Sequence, residues 1–191
     1  MRFNPDSHHR QSIRLRHFDY AQGGAYFITI CCHDRLPLFG SVVNGEMALN
    51  EAGDMIKKWW YELPQKFAGT QLDEFVVMPN HFHGIIHIVG ADLRVRPVHS
   101  RHMHPDCGAD DKKSGAHAGA PLHSMIQWFK TMSTNEYIRG VNQKGWPAFN
   151  GKLWQRNFYE RIVRSEAELK SIREYIVNNP AQWILDEMFV S

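Results

Sequence analysis

The sequence predicts an α+β domain: an antiparallel sheet with helices packed on one side. Three observations predict it. Segments with a period of two alternate with segments of helical period, in the order strand, helix, strand, strand, helix, strand, helix. The two middle strands are separated only by Pro79-Asn80, too short a link for anything but an antiparallel pair. Apolar residues make up 43% of a 191-residue chain, enough to cover one sheet face with helices around a single core.

The first strand is expected over 26–33 (YFITICCH), a β-branched and aromatic run that Gly23-Gly24 punctuates. A helix follows over 49–63, with Met55, Ile56, Trp59, Trp60 and Leu63 at helical spacing, Asn50 as its N-cap and Pro64 just past its end. The stretches 72–78 and 81–89 (HFHGIIHIV) read as a hairpin. Helical spacing resumes over 121–140 through Leu122, Met125, Ile126, Phe129, Met132 and Ile138. A short strand is expected over 154–163 (WQRNFYERIV), after a turn rich in Gly and Asn. The last helix runs from about 165 to 178. Ser165 with Glu168 three residues on is a capping-box signature, and Pro180 opposes continuation.

The whole chain, 1–191, reads as one domain with two appendages. Residues 1–20 form a basic arm, and 91–120, rich in Gly, Ala, Asp, Lys and His with little periodicity, reads as a flexible insert. The formal charge is only +2, which excludes a histone-like polycation and permits nucleic-acid binding without arguing for it. Three cysteines without a CxxC spacing make a poor disulfide framework and suggest reduced thiols in the cytoplasm. The polar N-terminus shows no signal peptide, and no run approaches the roughly 20 apolar residues of a membrane span.

The chemistry is concentrated in His81-Phe82-His83. Alternate strand residues face one side, roughly 6.6–6.8 Å apart along the chain, so these two imidazoles can converge on one ion while Phe82 points to the core. HxH spacing alone is equally compatible with two histidines on a solvated face. His87 shares that face one repeat further on, as a residue supporting the ligands or contacting phosphate at most, and more simply as a surface histidine. Tyr175 and Asn179 lie four apart at the end of the last helix and share a face beside the stripe Leu169, Ile172 and Ile176. Taken alone, they read as an amphipathic tyrosine and a helix-ending residue.

Together the segments resemble a known family. MPNHFHGIIHI (78–88) looks like the metal-binding segment of the HUH single-strand transposases, and most of all of the REP-associated tyrosine transposases related to insertion-sequence-200-like enzymes. The stretch 18–40 resembles that family's first strand, WQRNFYERIVR (154–164) its last strand, and EYIVNNP (174–180) its tyrosine helix. The resemblance covers most of the chain outside 91–120, and the ordered set of motifs is far more specific than HxH by itself.

This resemblance implies a ferredoxin- or RRM-like HUH fold and a role for each matching residue. His81 and His83 would be metal ligands, Asn179 the third, polar ligand, and Tyr175 the nucleophile. The cofactor would be a divalent ion, Mg²⁺ or Mn²⁺. The partner would be single-stranded or hairpin DNA, cleaved and rejoined through a 5′-phosphotyrosine by a monomer or a homodimer. Arg10, Arg14, Arg16, Lys130, Arg156 and Arg164 are the candidate DNA contacts.

Other readings compete. A non-cleaving, hairpin-binding regulator of the same fold would keep these residues for another purpose. A histidine-triad nucleotide hydrolase is opposed by Ile85, which stands where the third alternate histidine would be. The irregular histidines of 91–120 give metal storage little support.

Overall fold

A computed structural model describes residues 23–89 and 122–185. The basic arm with Arg10, Arg14 and Arg16, the 91–120 insert and Cys107 lie outside the described residues.

The strands of the main sheet are β1 (Gly24–Cys31), β4 (Thr70–Val77), β5 (His81–Ile88) and β6 (Tyr159–Val163), ordered β4-β5-β1-β6 with every neighbour antiparallel. A small hairpin, β2 (Gly40–Val43) with β3 (Glu46–Leu49), precedes helix α1 (Glu51–Tyr61) and the single turn α2 (Leu63–Lys66). Helix α3 (Leu122–Lys144) separates β5 from β6, and α4 (Glu166–Asn178) closes the fold, followed by a 3-10 segment at Pro180–Leu185. Leaving the small hairpin aside, the succession β-α-β-β-α-β is the ferredoxin-like split motif. The expected α+β class is the one found.

Period-two alternation assigns the sheet's two faces. Tyr26, Ile28, Ile30, Phe82, Ile86 and Ile88 turn toward α1 and α3 and form the main core with Trp60, Met125, Ile126 and Phe129. Its centre is aromatic: the Trp60 and Phe82 ring centroids are 4.6 Å apart, and those of Phe82 and Phe129 5.5 Å. Gly84 admits Trp60 here, since a Cβ at Gly84 would lie 2.6 Å from the indole. The opposite face carries Phe27, Ile85 and the histidines of β5. Helix α4 crosses this face, seating Leu169, Ile172 and Ile176 on Phe27 and Ile85. The helices expected on one side are thus α1 and α3, and the closing helix covers part of the other.

The capping expectations hold. The Asn50 side chain accepts from the Gly53 amide at 2.9 Å, and Ser165 Oγ accepts from the Glu168 amide at 3.2 Å. Glu168 reaches back to the Arg164 amide, one residue before the cap, at 2.8 Å.

Four local expectations change. Pro64 does not follow the helix; it sits in the first turn of α2, where a missing N–H costs nothing. Helix α3 continues past Gly140 to Lys144; Gly140 is not its end but the place where the Trp146 ring packs against it. The strand expected over 154–163 is regular only from Tyr159: Cys32 bridges Trp154 and Thr29 pairs with Tyr159, so three steps along β1 face five on the other strand. The excess bulges out at 156–158. The hairpin β2–β3, finally, adds a pair of strands to the expected order; its turn is Asn44-Gly45, with φ of 53° and 80°, the two positive values that a type I′ turn requires.

Candidate active site

His81 and His83 leave β5 on the α4 face as its alternation requires, and both are buried. Their ring centroids are 4.6 Å apart, so the two imidazoles converge. Each ring is held by a side-chain oxygen on Nδ1. Thr29, the β1 partner of His83 in register, places Oγ1 2.8 Å from its Nδ1. Asn80 places Oδ1 2.9 Å from His81 Nδ1. The Asn80 amide nitrogen donates to the Arg35 carbonyl at 3.1 Å, which fixes the amide's orientation and makes its oxygen the acceptor of a His81 Nδ1–H. The lone pair of His81 is therefore on Nε2.

The turn before β5 is braced from outside. The Asn80 carbonyl accepts from the Cys32 amide at 2.8 Å, and the Pro79 carbonyl from the Phe39 amide at 3.0 Å. Asp34 and Arg35, just upstream of Phe39, both adopt positive φ (56° and 54°). Non-glycine residues held there cost on the order of 1–3 kcal/mol each. Here the strained turn delivers the Arg35 carbonyl that orients Asn80.

Burial, and then the neighbouring His81, push the His83 pKa well below its ordinary value. This imidazole is neutral at pH 7, the form that ligates metals. The Phe27 ring stacks on it with centroids 5.5 Å apart.

Tyr175 comes from α4. Its hydroxyl lies 3.3 Å from Nε2 of His83, across a sequence separation of 92, and its ring packs edge-on to His83 and Phe27. At 43% relative exposure, Tyr175 stands at the mouth of the site rather than in the core. Asn179, one turn later, is buried and forms the C-cap of α4. The segment after it turns back so that the Trp183 ring lies 5.7 Å from the ring of His81. Residues 175–183 thus wrap the histidine pair.

The donor set fits a divalent ion. Two convergent imidazoles, each hydrogen-bonded through Nδ1, would offer Nε2 as the ligating nitrogen. Among the described residues no group of three or more His, Cys, Asp or Glu could hold a metal. Asn179, buried at the end of α4, carries a neutral amide oxygen of the kind that could complete such a set. Two nitrogens and an amide oxygen leave positions open for phosphate and water.

The remaining candidates fall elsewhere. His87 Nε2–H donates to the Asp73 carboxylate at 2.7 Å, and serves the β4 side of the sheet. Lys130 spends its ammonium on the carbonyls of Gln155 and Arg156, at 2.6 and 3.0 Å, and so holds the 156–158 bulge. Burial lowers its pKa to about 8. Arg156 and Arg164 are exposed. The supporting residues Thr29 and Asn80 differ in how far the sequence reveals them. Asn80 has a visible signal in its position next to His81, whereas Thr29 needs the β1–β5 register.

Comparison with known proteins bears on the fold and on kinship. No family model matches the chain. A Haemophilus influenzae protein, named only as uncharacterized, is 36% identical over 199 residues, spanning 99% of this chain and 98% of that one. Among solved structures, a REP-associated tyrosine transposase bound to a REP hairpin superposes with a TM-score of 0.54 at 18% identity, covering 90% of this chain and 74% of the other. At that identity the likeness establishes the fold, and it is the fold that the motifs led one to expect. Among the described residues no helix is long and apolar enough to cross a membrane.

Proposed function

We propose that this chain, which belongs to one family with the Haemophilus influenzae protein and has the fold of a REP-associated tyrosine transposase, is itself such a transposase. In this reading it is a metal-dependent single-strand DNA endonuclease and strand transferase, acting at hairpin-associated sites. The observation that carries the proposal is the 3.3 Å approach of the Tyr175 hydroxyl to His83 Nε2. The ring's edge-on packing on Phe27 and His83 accounts for where Tyr175 sits, and it leaves the hydroxyl at the exposed mouth of the site beside a buried imidazole.

His81 and His83, with Asn179, would hold Mg²⁺ or Mn²⁺. The ion would supply Lewis-acid neutralisation of the charge that builds on the non-bridging phosphate oxygens. The chain's own residues do the rest. Thr29 and Asn80 keep both Nε2 lone pairs pointed into the site, and Phe27 and Trp183 wall the rings in. Tyr175 attacks phosphorus; a phenol-oxygen-to-phosphorus bond forms as the bond to the 3′-oxygen breaks, the phenol gives up its proton, and the 3′-oxygen takes one up and leaves as a hydroxyl. The 5′-phosphotyrosine retains the energy of the broken bond, so a second 3′-hydroxyl can reverse the step without ATP. The 3.3 Å contact of Tyr175 with His83 of the same chain supports a site completed within one chain.

The hairpin in the solved relative supports hairpin DNA as the substrate class. Exposed Arg156 and Arg164, with Arg10, Arg14 and Arg16 of the N-terminal arm, are the proposed backbone contacts.

The test is a denaturing gel of the full chain with a 5′-flanked DNA hairpin and Mn²⁺. A covalent adduct is expected that disappears with chelator and with Tyr175→Phe. An adduct that persists in Tyr175→Phe rejects the assignment of the nucleophile. Tight hairpin binding with no adduct would instead select the non-cleaving regulator.

A further inference from the structure

Arg173 lies on α4 two positions before Tyr175, and its guanidinium forks onto the carboxylate of Asp73 on β4. Nε donates to Oδ1 and Oδ2 at 2.9 and 3.2 Å, and Nη2 to Oδ2 at 2.7 Å. Asp73 is gripped from two further sides, by His87 Nε2 at 2.7 Å and by the Glu74 amide at 2.8 Å. Its side chain is only 13% exposed. The pairing of β4 with β5 shifts between Leu72 and Phe75, so Asp73 stands on a bulge. Bulges re-aim side chains and recur next to functional sites.

At its start α4 is tied to β6 by the Glu168–Arg161 pair, six or more positions from Tyr175. Along the rest of the helix Leu169, Ile172 and Ile176 are the buried apolar residues, packed on Phe27 and Ile85 with Ala25, Val76 and Val163 around them. Apolar contact of that size resists removal of the helix but is non-directional, and tolerates sliding or rolling. A bidentate guanidinium–carboxylate pair is directional, because both partners are planar.

We propose that Arg173 and Asp73 form a latch that sets the roll and height of α4 on the sheet, and thereby holds the Tyr175 hydroxyl at His83. They are positioning residues, and the inference rests on the reading of Tyr175 as nucleophile. Misplacing a reacting group by about 1 Å can cost on the order of a hundredfold in rate, so a loosened latch acts on the chemical step. The hairpin can still bind, because neither residue belongs to the proposed DNA contacts.

The test compares Arg173→Met, Arg173→Lys and Asp73→Asn with Glu136→Gln, which removes the Lys58–Glu136 pair on the opposite side of the sheet. Hairpin affinity, the single-turnover rate of adduct formation with Mn²⁺ and amide exchange along α4 are measured on the full chain. Arg173→Met and Asp73→Asn should slow adduct formation by about tenfold or more while hairpin affinity stays within about threefold, the split expected when only the reacting geometry is lost. Exchange should quicken in α4 but not in α3. Arg173→Lys, which keeps the charge without the fork, should fall between them and the native protein, and Glu136→Gln should behave as native. Adduct rates within about twofold of native in both disruptive variants, or loss of binding in step with rate, would overturn the latch. If the native chain forms no adduct, the nucleophile reading fails first. The latch is then decided by exchange: selective loosening of α4 upholds it, and unchanged protection refutes it.

Discussion

Replacing Thr29 by valine removes one oxygen at nearly constant volume, and tests the claim that the site works by fixing a tautomer. In the native chain Thr29 Oγ1 lies 2.8 Å from His83 Nδ1, and both side chains are almost fully buried, at 5% and 3% exposure. Valine leaves a buried Nδ1–H without an acceptor, a loss of about 1–3 kcal/mol if the ring keeps its state. The ring can escape by moving its proton to Nε2, where the Tyr175 oxygen is placed to accept it. That escape recovers part of the stability but removes the lone pair that would hold the ion. Outer partners of ligating histidines are worth about 10–100-fold in metal affinity, or roughly 1.4–2.7 kcal/mol. Thr29→Val should therefore weaken Mn²⁺ binding, followed by calorimetric titration, by about that factor. Melting temperature should fall by less than a full unsatisfied donor implies, and Thr29→Ser should bind Mn²⁺ like the native chain. Equal affinities for valine and native protein, or a serine variant as weak as the valine one, would refute the reasoning.

Other outcomes follow from the same geometry. Tyr175→Phe should abolish the adduct yet change stability by less than about 1 kcal/mol, since the hydroxyl's bond to His83 is made at the exposed mouth of the site; chemical denaturation checks the second half. Mn²⁺ at about a hundred times its dissociation constant should stabilise the native chain by about 2.7 kcal/mol, a gain that should vanish in His81→Ala. Asp73 is held well below the usual carboxylate range, chiefly by Arg173. Because its folded-state pKa is depressed, its contribution is complete above the unfolded pKa and is lost as pH falls below it; Asp73→Asn should flatten acid denaturation in that range. Neutralising Arg156 or Arg164 should reduce the salt slope of hairpin binding by about 0.7–0.9 each. Lys130→Met should leave that slope unchanged, because its ammonium faces two carbonyls, and a reduced slope would show that it contacts DNA after all.

What can be read in the sequence is local. The alternation of His81, Phe82 and His83 predicts which side chains share a face, and Asn50 and Ser165 announce their helix starts. Helical periodicity identifies Leu169, Ile172 and Ile176 as the buried stripe of α4, but a stripe does not say which face of the sheet it will meet. That choice brings Tyr175 to His83, and here the family motifs, not the periodicity, supply the expectation. Thr29 is hidden because its partner is set by register, and Arg173 because its carboxylate is 100 positions away on a bulge. The hairpin at Asn44-Gly45 escapes a search for periodicity: strands of four residues are too short to establish a period, although the dipeptide alone is a strong turn signal.

The two faces of the sheet are unequally covered. One is sealed by a thick aromatic layer under α1 and α3, whereas the other is roofed by a single helix with three buried side chains. Under thermal or chemical stress the thin roof should lift first, as a separate cooperative unit. Lifting it withdraws the phenol from the imidazoles while the strands beneath stay intact. A molecule losing its structure would thus be disarmed before it is dismantled.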